Sequence, residues 1–141
     1  NHDENFEVLW GRVKKNNHLD KLKMIYIETP ANPTNSLIDL DIIKQFKSKM
    51  LKEFNQEIKA VVDNTYLGPL WQKPINFGAD LVCYSATKFL NGHSDLIAGA
   101  VMGDHESILP IKTLNILGIS STNSDNFLSF SLINSKILTA A

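Results

Sequence analysis

The segment Ile58-Lys59-Ala60-Val61-Val62-Asp63-Asn64-Thr65 decides the fold class of this chain. Its first half, Ile58–Val62, predicts a buried strand, because apolar residues follow one another there without regular alternation. Its second half, Asp63–Thr65, predicts that the chain leaves the sheet at this point. In α/β sheets, ligands gather where strands end in this way. We therefore expect a functional site at the carboxyl ends of the strands.

The segments on either side predict further strands and helices. Before Ile58, Met24–Glu28 predicts a short buried strand, and Leu37–Phe54 predicts a helix with apolar residues every three or four positions. After Thr65 comes a turn-rich stretch, and then Leu81–Tyr84 and Leu96–Met102 predict two more strands. Helices are also predicted over Glu106–Leu117 and Asn126–Leu138, with a short helix or irregular lead-in within the first twenty residues. The predicted class is α/β, with a mostly parallel sheet covered by helices on both faces.

Composition excludes several functional classes. The chain has 141 residues, enough for one domain or part of a larger one, and 14 Lys and Arg against 15 Asp and Glu. That balance leaves no basic excess for nucleic acid or an anionic membrane, and no apolar run is long enough to cross a bilayer. The single cysteine, Cys83, excludes a disulfide framework. His93 has no Cys or His at ligand spacing, so no metal site is predicted. Because the chain begins with Asn1, without a methionine or a signal peptide, we expect it to be a piece of a longer protein.

Lys88 is the first candidate for chemistry. It follows Ser85 and Thr87 directly after a predicted strand, and it is the only Lys or Arg between Lys73 and Lys112. A lysine that loses its hydration there is more often a neutral amine, which is a nucleophile. The alternative is that the side chain bends out of a strand-end loop into water. For a lone lysine, taken by itself, this second interpretation is favoured.

Four other polar residues near strand ends have two interpretations each. Asp63 is either a turn residue or a carboxylate that holds a protonated ring nitrogen. Ser85 and Thr87 are either caps or hydroxyls that bind a phosphate. Asn32 is either a plain loop residue or an amide that donates to a phenolate oxygen. Each signal is weak alone, and their combination is more informative.

Three segments together carry a resemblance to a known family. They are Glu28–Thr34 (Glu-Thr-Pro-Ala-Asn-Pro-Thr), Val61–Thr65 (Val-Val-Asp-Asn-Thr) and Tyr84–Asp95 (Tyr-Ser-Ala-Thr-Lys-Phe-Leu-Asn-Gly-His-Ser-Asp). The chain resembles the pyridoxal-phosphate (PLP) enzymes of cysteine and methionine metabolism, the transsulfuration family, most closely cystathionine γ-lyase and γ-synthase. The resemblance is strongest over residues 20–118 and poor over 119–141. It implies that residues 1–141 form part of the large cofactor domain of a fold-type I, aspartate aminotransferase-like enzyme.

The resemblance implies a role for each candidate residue. Lys88 resembles the catalytic lysine that forms the Schiff base with PLP and then moves protons between substrate carbons. Asp63 resembles the partner of the pyridine nitrogen, and Ser85 and Thr87 resemble phosphate ligands. Asn32 resembles the residue that hydrogen-bonds the phenolic oxygen of the ring.

The resemblance also implies an activity and an assembly. We expect a carbon–sulfur lyase or transferase (synthase) that acts on a small amino-acid substrate, as a cytoplasmic homo-oligomer, a dimer of dimers. Family enzymes are longer, however, and their glycine-rich phosphate loop, stacking tyrosine and substrate-binding arginine have no counterpart here. The only arginine is Arg12. A truncated or degenerate family member that binds cofactor or partner subunits without catalysis is therefore the second hypothesis. A generic nucleotide-binding α/β module is less favoured, because no glycine-rich loop follows a strand.

Overall fold

A five-stranded sheet forms the centre of the computed structural model, which describes residues 6–15, 19–93, 95–116 and 129–131. The strands are β1 (Met24–Glu28), β2 (Lys59–Asp63), β3 (Leu81–Ser85), β4 (Gly99–Gly103) and β5 (Ser129–Ser131), and they lie side by side in that order. β1, β2 and β3 are parallel, whereas β4 is antiparallel to both β3 and β5. The carboxyl ends of the three parallel strands therefore meet at one edge of the sheet.

Helices and short helical turns connect the strands. The helices are α1 (Phe6–Lys14), α2 (Asp41–Phe54), α3 (Gly68–Trp71) and α4 (His105–Ile116). Two 3₁₀ turns, Leu19–Lys21 and Pro74–Phe77, and one π-helical turn, Ala86–Leu90, complete the described elements. None of the helices in these ranges is long and apolar enough to cross a membrane.

The sheet is covered on both faces, which confirms the predicted α/β class. On one face, Ala60 and Val62 of β2 pack with Val82 of β3 against Leu40 and Ile43 at the start of α2. On the other face, a smaller apolar cluster joins the sheet to α4. Its buried members are Val61, Leu81 and Ile108. Burial on both faces explains why β2 reads as a continuous apolar run.

α1 packs against α2 through an apolar cluster that includes Trp10, Phe46 and Met50. The Trp10 ring is buried and meets Phe46 edge to face, with 5.1 Å between the ring centroids. Its indole Nε1 donates a hydrogen bond to Glu53 near the end of α2. The predicted lead-in is thus a helix that extends the core, in a cluster that also includes Ile58 directly before β2.

The predicted helix over Leu37–Phe54 begins four residues later than expected. Asp39 Oδ1 accepts from the Asp41 amide at 3.0 Å, and the helix starts there. Just before it, the Ile38 amide donates to Thr29 Oγ1 at 3.0 Å. This amide is satisfied by a side chain from the preceding loop, so Leu37–Leu40 stays outside the helix. Periodicity alone could not show this tertiary contact.

Other predictions of secondary structure from the sequence are also wrong. The strand predicted over Leu96–Met102 begins only at Gly99, and part of the turn-rich stretch forms α3 and the second 3₁₀ turn. Within the predicted helix Asn126–Leu138, Ser129–Ser131 is a strand because it pairs with Gly99–Val101. The remainder of that predicted helix lies outside the described residues. Pairing partners distant in sequence decided this assignment.

The Asp80 carboxylate fixes the start of the central strands. It accepts from the Ala60 amide at 2.7 Å and from Lys47 Nζ of α2 at 2.8 Å. Burial alone would raise the pKa of Asp80, but these two hydrogen bonds hold it below its ordinary value. One side chain therefore ties α2 to the loop before β3 and to β2.

Close packing beside Asp80 gives a prediction about stability. A Cβ added at Gly103 would lie 2.5 Å from the Asp80 carbonyl oxygen, so Gly103→Ala must displace backbone. We expect it to lower the free energy of unfolding by about 1–3 kcal/mol in chemical denaturation. Gly11→Ala is the control, because nothing lies within 4 Å of its added Cβ and alanine favours the helix. Equal stability of the two variants would contradict the packing described here.

Candidate functional site

The candidate site lies at the carboxyl ends of the parallel strands. Glu28 of β1 is in register with Asp63 of β2, and Asp63 is in register with Cys83 of β3. Paired residues in a sheet point to the same face, so these three side chains form a row. All three are half-buried. The row lies on the same face of the sheet as Val61 and Leu81, which α4 covers and which precede Asp63 and Cys83 on their strands.

The Asp63 carboxylate is held in a fixed orientation by Thr65. Its Oδ1 accepts hydrogen bonds from the Thr65 amide at 3.0 Å and from Thr65 Oγ1 at 2.6 Å. Its Oδ2 accepts from the hydroxyl of Tyr26, at 3.1 Å. A carboxylate oxygen has two lone pairs, so Oδ2 keeps the capacity to accept a second donor. Asp63 is half-buried and Tyr26 is 60% exposed, so Oδ2 lies in a part of the site that is partly open to solvent.

Thr65 also connects Asp63 to the end of the neighbouring strand. The Ser85 amide donates to Thr65 Oγ1 at 2.8 Å. The Thr65 hydroxyl therefore donates a hydrogen bond to the Asp63 carboxylate and accepts one from the Ser85 backbone amide. This continuous chain of hydrogen bonds brings together two of the predicted site residues.

Thr87 and Lys88 lie in the π-helical turn directly after β3. The turn is interrupted at Lys88, whose backbone has φ −86° and ψ −122°, outside the helical region. The Lys88 side chain is exposed. Thr87 Oγ1 accepts from the Ala98 amide at 3.0 Å and lies 3.4 Å from the Ala98 carbonyl oxygen. The latter contact is weak, so the Thr87 hydroxyl proton can turn to a better acceptor.

Asn32 is placed at the same edge but is not joined to the other candidates. It lies four residues beyond the end of β1, and its side chain is exposed. Its backbone amide donates to Glu28 Oε1 at 3.3 Å. In the described part of the chain, no hydrogen bond links Asn32 to Asp63, Ser85 or Lys88. The structure thus unites Asp63 with Ser85, followed by Thr87 and Lys88, and places Asn32 nearby in a separate loop. The roles assigned to these five residues stay predictions.

Sequence reasoning missed two residues that shape the site. Thr65 had a usable signal, since a threonine two residues after an aspartate is a frequent partner in a turn. Tyr26 had none, because only the parallel register places its ring beside Asp63. Its contact with the carboxylate is a product of strand pairing.

The negative charge of Asp63 affects both neighbouring groups that can lose a proton. Burial and, next, the Asp63 charge raise the pKa of the Cys83 thiol to about 11. The same two causes raise the pKa of Tyr26 above its ordinary value, so the phenol remains a donor to the carboxylate. The Tyr26 phenol and the Cys83 thiol therefore stay protonated beside the Asp63 carboxylate, and Glu28 is a second carboxylate in the same row.

Comparison with known proteins identifies the family to which this architecture belongs. The family model described as Cys/Met metabolism PLP-dependent enzyme matches residues 11–131. L-methionine gamma-lyase of Treponema denticola is 46% identical over 94 residues, which cover 67% of this chain and 22% of that protein. Human cystathionine gamma-lyase is 43% identical over 86 residues, covering 61% of this chain and 20% of that protein.

A solved structure agrees with the sequence comparisons. The crystal structure of cystathionine gamma synthase from Xanthomonas oryzae pv. oryzae has a TM-score of 0.63 and 38% sequence identity, over 81% of this chain and 27% of that chain. The chain belongs to the Cys/Met metabolism PLP-dependent enzyme family. It spans between 20% and 27% of the length of these three relatives.

The described side chains fit the cofactor of this family. Asp63 Oδ2 is an accessible carboxylate oxygen with a free lone pair, which suits the N–H of a pyridinium ring. Thr87 has a hydroxyl proton only weakly engaged, which suits a phosphate oxygen. Lys88 follows in the same turn with an exposed amine. A hydroxyl donor, a carboxylate acceptor and a primary amine thus follow the carboxyl ends of β2 and β3.

The neighbourhood of Asp63 and Cys83 can be tested without the cofactor. With a pKa of about 11, Cys83 should react with iodoacetamide at pH 8 about tenfold more slowly than an ordinary cysteine, because the smaller thiolate fraction is partly offset by the greater nucleophilicity of a more basic thiolate. Asp63→Asn removes the nearby charge, lowers the pKa of the thiol and should speed the reaction. Peptide mapping by mass spectrometry measures the rate at Cys83 alone.

The matched control is Asp95→Asn, which neutralises an exposed carboxylate that hydrogen-bonds Asn91 rather than the Cys83 region. It should leave the alkylation rate unchanged. Equal rates for Asp63→Asn and the unaltered protein would show that Asp63 does not act on Cys83.

Proposed function

We propose that the full-length protein containing this chain is a PLP-dependent carbon–sulfur lyase or synthase of sulfur amino-acid metabolism. The observation that carries the proposal is the hydrogen-bonded chain from Asp63 through Thr65 to Ser85, with Lys88 in the turn that follows. Family membership and the names of the relatives support the reaction class. These 141 residues would supply part of the cofactor-binding domain.

Each described residue has a defined task in this proposal. Asp63 accepts the ring N–H of the cofactor, and Thr65 keeps the carboxylate plane in position for it. Ser85 and Thr87 donate hydroxyl protons to the phosphate, and Asn32 donates its side-chain amide to the phenolic oxygen. When bound, PLP supplies a pyridinium ring that withdraws electrons from the substrate α-carbon. The negative charge of Asp63 favours the protonated form of that ring.

Lys88 Nζ is the proposed point of covalent attachment and the group that moves protons. Because the backbone at Lys88 leaves the helical region, its side chain is directed by a local kink and not by the regular helical repeat. No salt bridge holds Lys88 among the described residues, so its amine is not committed to a carboxylate. An amine released from attachment beside the substrate can take and return protons at Nζ.

The proposed substrate is an amino acid with sulfur in its side chain. Two structures of the Xanthomonas oryzae synthase hold aminoacrylate with cysteine and, separately, cystathionine, which are ligands of that protein. The segment Asn91–Asp95 favours a cystathionine γ-lyase or γ-synthase type, the latter a transferase. The only arginine, Arg12, lies in α1, which packs near the amino ends of β1 and β2 and not at their carboxyl ends. We therefore propose that the carboxylate of the substrate is bound by residues of the full-length protein outside this chain.

We also propose a cytoplasmic homo-oligomer, a dimer of dimers. Large apolar side chains on α3 and after β3 support an assembly, since Trp71 is 84% exposed and Phe89 67% exposed. Such surface suits contact with further protein. The single cysteine of the chain is compatible with a reducing compartment.

The assignment of Lys88 is tested by Lys88→Ala in the full-length protein. Borohydride should fix PLP permanently to the unaltered protein, at Lys88, and should fix none to the variant. Turnover should fall by about a thousandfold or more, because the group that moves protons is gone. Lys73→Ala, which removes another exposed lysine, is the control and should retain both properties. Turnover at the original rate in Lys88→Ala would refute the assignment.

The role of Asp63 is tested by Asp63→Asn, which keeps the shape and removes the charge. We expect turnover to fall about a hundredfold or more, because the neutral amide no longer favours the ring proton. The affinity for PLP should fall much less, since other contacts remain. Asp41→Asn, at an exposed position in the first turn of α2, is the control. An unchanged rate in Asp63→Asn would make Asp63 a turn residue only.

A further inference from the structure

Asn64 is a fully buried amide directly between Asp63 and Thr65, with 0% of its surface exposed. Its Nδ2 lies within hydrogen-bond distance of the Gly68 carbonyl at 3.0 Å, the Gln72 carbonyl at 2.9 Å and the Tyr84 hydroxyl at 3.1 Å. Its Oδ1 accepts from Gln72 Nε2 at 3.0 Å. Two hydrogens shared among three acceptors use the full donor capacity of the amide.

The chemistry of these partners fixes the orientation of the Asn64 side chain. If the amide were reversed, its oxygen would face two carbonyl oxygens and no hydrogen bond could form to either. A buried amide without partners is costly, so the observed orientation is strongly favoured. The peptide that joins Asp63 to Thr65 is therefore held from inside the protein.

Gln72 extends this network to another loop. Its Nε2 donates both to Asn64 Oδ1 and, at 3.2 Å, to the Thr29 carbonyl at the end of β1. The Thr29 amide in turn donates to the Asp63 carbonyl at 3.3 Å. Thr29 is thus attached to the Asp63 strand end twice, once directly and once through Gln72 and Asn64.

Thr29 also holds the far end of the loop that it begins. Its Oγ1 accepts from the Ile38 amide at 3.0 Å, and only 1% of the residue is exposed. Within the loop, the Ala31 amide donates to the Ser36 carbonyl at 3.0 Å. Asn32 lies inside this closed loop. Its position relative to Asp63 therefore depends on Thr29, and the position of Thr29 depends on Gln72.

We propose that Gln72, together with Asn64 and Thr29, is a positioning residue that sets the Asn32 loop relative to Asp63 so that both residues reach one cofactor molecule. The inference rests on the proposed function and extends it to buried residues that do not touch the cofactor. The physical reason is that Asn32 and Asp63 lie on separate segments. Besides the exposed hydrogen bond from the Asn32 backbone amide to Glu28, which is paired with Asp63, the buried link between these segments passes through Thr29.

A double-mutant cycle on PLP affinity in the full-length protein tests the proposal. Gln72→Met keeps the side-chain length and removes the donors. It should weaken PLP binding about tenfold, as expected for the loss of two hydrogen bonds. In an Asn32→Ala background the same change should weaken binding by less than about twofold, because the loop no longer contributes a ligand. Thr29→Val removes only the hydroxyl that holds Ile38 and should show the same dependence, which keeps the test valid if Gln72→Met fails to fold.

Gln56→Met is the matched control. Gln56 Nε2 donates to the Leu22 carbonyl. This is the same kind of bond between distant segments, but it lies away from the carboxyl ends of the strands. It should leave PLP affinity unchanged in both backgrounds. Equal effects of Gln72→Met, and of Thr29→Val, with and without Asn32 would overturn the positioning role and leave the proposed function intact. Failure of the unaltered protein to bind PLP would instead refute the proposed function, and this inference with it.

Discussion

The buried amide of Asn64 is the constraint on which the strand-end arrangement depends. An amide removed from water must find partners for its donors and its acceptor, or the folded state loses stability comparable to that of several favourable contacts. Asn64 finds them in the start of α3, in Gln72 and in Tyr84 of β3. The hydrogen bonds of this one side chain thereby hold together the segments that carry the candidate site.

Parallel pairing then determines what the site contains. Because β1, β2 and β3 run in the same direction, their carboxyl ends place Glu28, Asp63 and Cys83 in one row. Thr65 connects one member of this row, Asp63, to the end of β3, since its hydroxyl bridges the Asp63 carboxylate and the Ser85 backbone amide. An oriented anion beside a loop with hydroxyls and an amine is a suitable acceptor for a protonated, phosphate-bearing ring.

The site divides into a rigid part and a more exposed part. Asp63 and Thr65 are half-buried and lie on a strand end and the turn after it, whereas Asn32 and Lys88 are exposed, in a loop and in the π-helical turn respectively. Rigid elements suit the group that must hold its charge in one place, and loops suit the groups that contact ligand and exchange protons. This division also explains why the links through Thr29 and Gln72 matter, because they limit how far the Asn32 loop can move from the strand end.

The sequence by itself determined the α/β class and three of the strands to within about one residue at each end, and it pointed to five candidate residues whose roles stay predictions. Continuous apolar runs have few alternatives in a covered sheet, and the motif around Lys88 is long and specific. Tertiary structure alone decided the later start of α2, the strand at Ser129–Ser131, and the contacts of Tyr26, Thr65 and Gln72. Each of these depends on a hydrogen bond between residues distant in the chain or across a turn between strand ends. Local propensity contains no information about such partners, because they meet only after the sheet has formed.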